Sequence, residues 1–275
     1  MDRSGGLDDR RGMSIGGVGR LAVAVRAAAD LVLPVRCAAC RGPGGPLCGA
    51  CSADVRAASF VGGAGVTGPD PPPPGMPVCW AAARFEGALR DAVTAYKDED
   101  RRDLSAVLAD ALATSVATAL AADPVLGRGA ATDGHVLVVP LPSSRASRRR
   151  RGGDPVGDLA RAAVARVAGL GSGGRSLVVA PALRLTRAVV DQSRLDRIER
   201  AENLAGALAV RERWAEAVSG SACILVDDVV TTGATLSEAA RALRVGGADH
   251  VAAATVAATQ RRGRGHALVS RRWAD

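Results

Sequence analysis

The sequence predicts an α/β protein, with a mostly parallel sheet flanked by helices and a small four-cysteine module in front of it. Three observations carry this. From Val136 onward, aliphatic runs of strand length alternate with stretches of helical period. Near the N-terminus two Cys-x-x-Cys pairs, Cys37/Cys40 and Cys48/Cys51, stand seven residues apart. Farther on, the apolar run Cys223-Ile-Leu-Val226 meets two adjacent carboxylates, Asp227 and Asp228, and then Thr231-Thr-Gly-Ala-Thr235. With 275 residues, 48% of them hydrophobic, the chain is long enough to bury a real core. Aromatic residues make up only 2%, so that core is aliphatic and little side-chain surface remains for stacking nucleic-acid bases. The formal charge of +8 favours phosphate-bearing partners, although an Ala/Gly/Arg-biased chain carries much arginine as background.

Taken in order, residues 1–30 read as an N-terminal tail or helix. The apolar run from Val18 to Val35 is broken by Arg20, Arg26 and Asp30, which fits neither a membrane span nor a secretory h-region. Arg10-Arg11 lacks the flanks of a twin-arginine signal, and Met13 is an alternative start to Met1. The expectation is a cytoplasmic protein without membrane insertion. Residues 31–56 form the cysteine module. Paired Cys-x-x-Cys knuckles bring four thiolates around one tetrahedral ion, so Cys37, Cys40, Cys48 and Cys51 are read as ligands of a structural Zn²⁺. Two disulfides or a redox pair are the competing readings; the first lacks a secretory signal and the second a βαβ setting. Cys79 and Cys223 read as isolated thiols. Residues 57–80 form a linker, in which Gly62 to Pro77, with four successive prolines, is expected to be an extended spacer.

The main domain is expected over 81–275. Helices are predicted over Phe85–Lys97 and Leu104–Ala122, on either side of a charged break. Strands at Val136–Leu141, Leu177–Ala180, Cys223–Val226 and Val251–Val256 then alternate with helices at Asp158–Val167, Leu195–Leu204 and Leu236–Leu243. Such alternation places ligands at the C-terminal ends of parallel strands. After the first of these strands comes a basic loop with five arginines in seven residues, including Arg148, Arg149, Arg150 and Arg151. It suits a pyrophosphate group; a solvated loop or a nucleic-acid contact accounts for the same residues.

At Asp227-Asp228 and the loop beyond, the residue types themselves point to a sugar phosphate. Unpaired N–H groups at a helix N-terminus and two or three hydroxyls wrap a dianion without a lysine. Carboxylates would repel that dianion, but they accept hydrogen bonds from a ribose diol or position hydrated Mg²⁺. A strand–turn–helix whose Asp or Thr merely caps the helix is the plain alternative, and it requires neither both acids nor the Thr-Thr-Gly-Ala-Thr run. Neither GxxxxGK[ST] nor a strand-linked GxGxxG is present.

The stretch from Ile224 to Thr235 resembles the 5-phosphoribosyl-1-pyrophosphate (PRPP) signature of type I phosphoribosyltransferases. Tyr96-Lys97, Val139-Pro-Leu-Pro142, Arg151-Gly152, Asp191-Gln192 and Arg200-Ala-Glu-Asn203 occur in order with the cysteine quartet and that signature. Together, over about residues 31 to 257, they are similar to the ComF family. The resemblance implies a type I phosphoribosyltransferase fold behind a zinc-bearing segment, with Mg²⁺–PRPP as ligand. It implies PRPP contacts from Asp227, Asp228, Val229, Val230, Thr231, Thr232, Gly233, Ala234 and Thr235 and from Arg148 to Arg151, with Asp227, Asp228 and Arg151 in catalytic roles. A link to DNA uptake, with single-stranded DNA and a competence helicase as partners, also follows from the resemblance. Two departures stand out: Gly152-Gly-Asp-Pro155 replaces the aromatic and amide that many relatives carry after Arg-Gly, and a single cysteine quartet is present. A different class of reading is a binding module that uses the same fold to hold nucleic acid or a phosphorylated ligand without catalysis, a role the basic C-terminal tail (Arg261, Arg262, Arg264, Arg271, Arg272) also suits.

Overall fold

Strands that are apolar at nearly every position, rather than at alternate ones, need cover on both faces, and the central strands of this chain have it. The computed structural model describes residues 35–131, 135–143, 153–169, 176–187 and 204–259. Its strands are β1 (Gly65–Val66), β2 (Cys79–Arg84), β3 (His135–Pro140), β4 (Ser176–Val179), β5 (Leu183–Leu185), β6 (Leu208–Val210), β7 (Ala222–Val230) and β8 (His250–Ala258). Six of them form one sheet in the order β1-β2-β8-β7-β3-β4, parallel throughout except for β1, which runs antiparallel to β2. β5 and β6 pair separately as a small antiparallel ribbon.

The helices are α1 (Gly49–Ala58), α2 (Gly87–Asp98), α3 (Ser105–Ala122), α4 (Pro124–Ala131), α5 (Pro155–Gly169), α6 (Ala215–Val218) and α7 (Ala234–Val245). On one face of the sheet, Leu108, Leu112 and Val116 of α3 and Leu159 and Ala163 of α5 close over Ile224, Val226, Ala252 and Ala254. On the other, Leu236, Ala240 and Leu243 of α7 close over Cys223, Leu225, Val251 and Ala253. Among the described residues, 102–122 is the one helical stretch long and apolar enough to cross a membrane. Its apolar rows are spent on the sheet, and Ser115 ties it down by donating to the Thr255 carbonyl at 2.7 Å.

Several expected elements differ in detail. β7 does not stop at Val226. It continues to Val230 because β8 supplies partners for Asp227, Val229 and Val230, so both acids lie inside a paired strand. α5 starts at Pro155, three residues before the predicted Asp158, and α4 is a helix the apolar pattern does not reveal. Both open on Asp-Pro. Proline at the first helical position loses no hydrogen bond, and the preceding aspartate accepts from first-turn amides: Asp123 from Val125 and Leu126, Asp154 from Gly157. The predicted helix over Leu195–Leu204 lies outside the described residues except for Leu204.

The stretch read as a spacer, Gly62–Pro77, is built into the fold. It contributes β1 at the sheet edge, and β2 follows at Cys79, with Cys79 and Trp80 buried. Its prolines form a strap against α7, where Ser237 in the first turn donates its hydroxyl to the Pro74 carbonyl and Arg244 in the last turn donates to the Gly75 carbonyl at 2.7 Å. Met76 lies in the core beneath.

Candidate functional site

Parallel strands leave their C-terminal ends open to loops, and here the end of β7 and the loop beyond it carry the candidate chemistry. β7 brings Asp227 and Asp228 to that end side by side. Successive residues of a strand point to opposite faces, and the two acids meet different surroundings. Asp228, only 4% exposed, accepts from Lys97 of α2, whose Nζ lies 2.6 Å from Oδ2 and 3.0 Å from Oδ1. Asp227 pairs across the sheet with Thr255 of β8 and folds Oδ1 onto the Asp228 amide at 2.9 Å. Burial, reinforced by the charge on Asp228 and only partly offset by Lys97, pushes Asp227 up to about 7. The pair therefore holds one carboxylate anchored to a cation and one poised near neutrality.

Beyond Val230 the chain turns through Thr231 and Thr232 to Gly233, which has φ +73 and sits directly before α7. A Cβ on Gly233 would lie 2.4 Å from Met76 Sδ and 3.2 Å from Pro73 Cδ, so the left-handed turn and the strap above it both require glycine. The N-cap residue, Gly233, has no side chain to cap α7, and the first helical amide, that of Ala234, donates to the Thr232 hydroxyl at 3.5 Å. Exposed Thr231 and half-buried Thr232 and Thr235 thus surround a helix N-terminus, where the partial positive charge of the first turn favours an anion. Val229 and Val230 are strand residues, and the Val230 side chain is buried in the core.

β3 lies beside β7, with Pro140 opposite Val226 and the Leu141 amide donating to the Val226 carbonyl at 3.0 Å. The basic loop therefore leaves the sheet one residue short of the acids. Arg148, Arg149, Arg150 and Arg151 lie outside the described residues, as do Asp191-Gln192, Arg200–Asn203 and the basic tail. The chain is described again from Gly153, beside Arg102, and Tyr96 of α2 donates its hydroxyl to the Pro155 carbonyl at 3.2 Å. Tyr96 and Lys97, adjacent at the end of α2, touch the first residue of α5 and Asp228 respectively.

The cysteine quartet forms as its spacing predicts. All four sulfurs lie within 4.8 Å of one another, and Cys40 Sγ is 3.7 Å from Cys48 Sγ. Tetrahedral Zn²⁺ with bonds of about 2.3 Å places its sulfurs about 3.8 Å apart, so the cluster fits that ion. All six cysteines are free of disulfides. Burial acts to raise the Cys37 thiol, but hydrogen bonds to the backbone of Cys48, Cys40 and Ala39 bring it down to about 6, while Cys51, hydrogen-bonded to Cys37 and Cys48, is pushed up to about 12. One sulfur thus favours the thiolate while a neighbour keeps its proton, a ring that a dication would deprotonate throughout. Cys79 is separate: buried, 4.0 Å from the Thr255 hydroxyl, and raised to about 12 by that burial. Cys223 is buried in the second core.

The module is docked at both ends of α2. At the start, Asp54 of α1 accepts from the Ala88 amide at 2.6 Å, an approach that leaves no room for a Cβ at Gly87, where one would lie 2.3 Å from Asp54 Oδ2. At the finish, Arg41, one residue after Cys40, forms a two-bond pair with Glu99 at 2.6 and 2.8 Å. Sequence reasoning placed Tyr96-Lys97 in the ordered motif series, read either as a substrate contact or as an amphipathic helix end, without the Asp228 partner. The signal that would have raised it is composition: of 36 basic side chains, 35 are arginine and Lys97 alone is lysine.

Residues 165–269 match the family model of the phosphoribosyl transferase domain. No curated protein matches the chain. The matched segment contains Asp227, Asp228 and the loop to Thr235, so the acid pair and the N-terminus of α7 belong to a phosphoribosyl transferase domain, preceded by a cysteine cluster able to hold a metal ion.

Proposed function

We propose that the protein is a ComF-type phosphoribosyltransferase that binds Mg²⁺–PRPP at the C-terminal end of β7 and transfers its phosphoribosyl group to a nitrogen acceptor. The carrying observation is the junction itself: a carboxylate pair in a parallel strand that ends at Val230, three residues before Gly233 at the N-terminus of α7, inside a matched phosphoribosyl transferase domain. In this reading the 5-phosphate takes the amides and hydroxyls from Thr231 to Thr235, and Asp227 and Asp228 accept the two ribose hydroxyls. Bound Mg²⁺ would supply charge neutralisation to the pyrophosphate, with the same carboxylates nearest to it. As the C1–O bond breaks, its electron pair leaves with pyrophosphate, which Arg148 to Arg151 compensate; the acceptor nitrogen donates its lone pair to C1 and its proton passes to water. Charge placement lowers the barrier, because the carboxylates face a ribose that is becoming cationic while the basic loop faces the departing anion.

The quartet Cys37, Cys40, Cys48 and Cys51 holds Zn²⁺ in this proposal, with a structural role because all four positions are protein sulfur. The ordered series of motifs supports the ComF assignment, and with it cytoplasmic location and a role in DNA uptake with single-stranded DNA and a competence helicase as partners. Calorimetric titration of Mg²⁺–PRPP into wild type and Asp227→Asn/Asp228→Asn tests the site. Wild type should bind, and the double variant should lose binding while keeping its fold. Equal affinity in both, or a folded wild type that does not bind, overturns the reading.

A further inference from the structure

The turn between the acid pair and α7 has little of its own to hold its shape. Thr231 is exposed, Thr232 is half-buried, and Gly233 brings no side chain to pack, yet its backbone is left-handed, with φ +73. Glycine has more conformational freedom to lose on ordering than any other residue. What meets this turn is the proline strap. A Cβ at Gly233 would overlap Met76 Sδ and lie 3.2 Å from Pro73 Cδ, so the strap rests directly on the backbone of the turn.

The strap has anchors that do not depend on the turn. On one side the Thr67 amide donates to the Cys79 carbonyl at 2.8 Å; on the other the Val78 carbonyl accepts from Ala253 of β8 at 2.8 Å. Between them the Met76 amide donates to the Pro73 carbonyl at 3.1 Å, and the Met76 methyl group lies against Gly68, where a Cβ would come within 3.2 Å of it. Along α7, Ser237 and Arg244 donate to the carbonyls of Pro74 and Gly75. The strap thus ties α7 to β8, the strand that also pairs with Asp227, and Met76, 8% exposed, fills the space between them.

We propose that Met76 is a positioning residue of the candidate phosphate site, through which the strap holds the Gly233 turn in its receiving shape before any ligand arrives. The inference rests on the PRPP reading of that site. With no lysine between Thr231 and Thr235, a phosphate there is held only as well as the backbone amides and threonine hydroxyls converge on it. A turn ordered during folding leaves less ordering to be done on binding, which raises affinity without a new contact. Met76 acts through Gly233 and touches no ligand itself.

The test separates positioning from core stability. Ribose 5-phosphate and Mg²⁺–PRPP are titrated calorimetrically into wild type, Met76→Ala, Met76→Leu and Leu243→Ala. Leu243 is buried in the same core cluster in the last turn of α7, so its truncation reads what lost stability does away from the turn. Met76→Ala should weaken both ligands at least fivefold, Met76→Leu should recover most of that loss because the volume is nearly restored, and Leu243→Ala should change affinity less than twofold. Unchanged affinity in Met76→Ala overturns the proposal; so does equal weakening by Met76→Ala and Leu243→Ala, which would make Met76 a core residue and nothing more. A wild type that binds neither ligand removes the PRPP reading itself, a distinct failure. If Met76→Ala does not fold, Ser237→Ala carries the test, since it unties the Pro74 carbonyl without opening the core. It should weaken both ligands at least twofold, and unchanged affinity overturns the proposal.

Discussion

The cysteine quartet and the Asp227-Asp228 pair are both clusters of ionisable groups, yet opposite means hold them. Around the quartet there is little to bury: of residues 35–58 only Cys37, Ala38 and Ala58 are buried, the first knuckle is a turn and the second opens α1. The acids sit in a nine-residue strand with a parallel neighbour on each side and helices over both faces. One cluster therefore has little packing of its own to hold its shape, and the other has its shape imposed by a core. A polar site on a scaffold can keep unfavourable charge, such as a carboxylate raised to about 7, because apolar packing elsewhere sustains it.

Removing the ion is the most direct way to break that contrast. In a Cys37→Ser/Cys51→Ser variant, elemental analysis should find the near-equimolar zinc of wild type gone and protease should cleave within residues 35–58, while the main unfolding transition of the sheet remains. Zinc-free wild type with an intact module would remove the contrast altogether. The converse change strikes the scaffold. Ile224→Ala deletes a fully buried side chain beneath α3 and α5 and should cost about 2–5 kcal/mol in chemical denaturation with zinc content unchanged.

A smaller effect separates the two acids by pH. An acid whose folded pKa exceeds its unfolded value keeps its proton longer in the folded state. The contribution of Asp227 to stability is therefore greatest at low pH and is lost as pH rises from about 4 to about 7. Ligand recognition runs the other way if the ribose hydroxyls need an ionised acceptor. PRPP affinity should rise by up to about tenfold per pH unit below 7 and then level off, and Asp227→Asn should flatten both slopes. Titrations between pH 5.5 and 8.5, with melting curves alongside, read both; a flat wild-type profile contradicts the assignment of Asp227.

What was legible in the sequence follows the same division. The quartet could be read from spacing alone, because its ligands are local and their chemistry fixes the geometry. The acid pair and the loop to Thr235 were legible because they too are contiguous. The pairing of Lys97 with Asp228 was not, since the partner is 131 residues away and only the tertiary fold joins them. β2 was missed for a related reason: Cys-Trp-Ala-Ala-Ala-Arg has neither alternation nor β-branched residues, and only pairing with β8 makes it a strand. The proline strap was read as a spacer because composition records that Pro71–Pro74 cannot be helix. It does not record that Ser237 and Arg244 would bind the carbonyls beside it. Asp-Pro at 123–124 and 154–155 was a readable local signal, outweighed by the search for apolar period.

The smallest expected effect tests whether the two regions are independent at all. Arg41 and Glu99 are both solvent-exposed, so Arg41→Gln should leave the main unfolding transition where it is. Glu99 follows the last turn of α2, however, and its release loosens the segment two residues beyond Lys97. Mg²⁺–PRPP affinity should fall about two- to fivefold, a modest coupling between separated sites, with zinc content unchanged. Glu99→Gln should reproduce the loss, and the double variant should add little to either single change, because one pair is being broken three ways. Additive losses would mean that Arg41 and Glu99 act separately on the site. No loss in any variant would leave the cysteine module and the acid pair as neighbours on one helix without a functional connection.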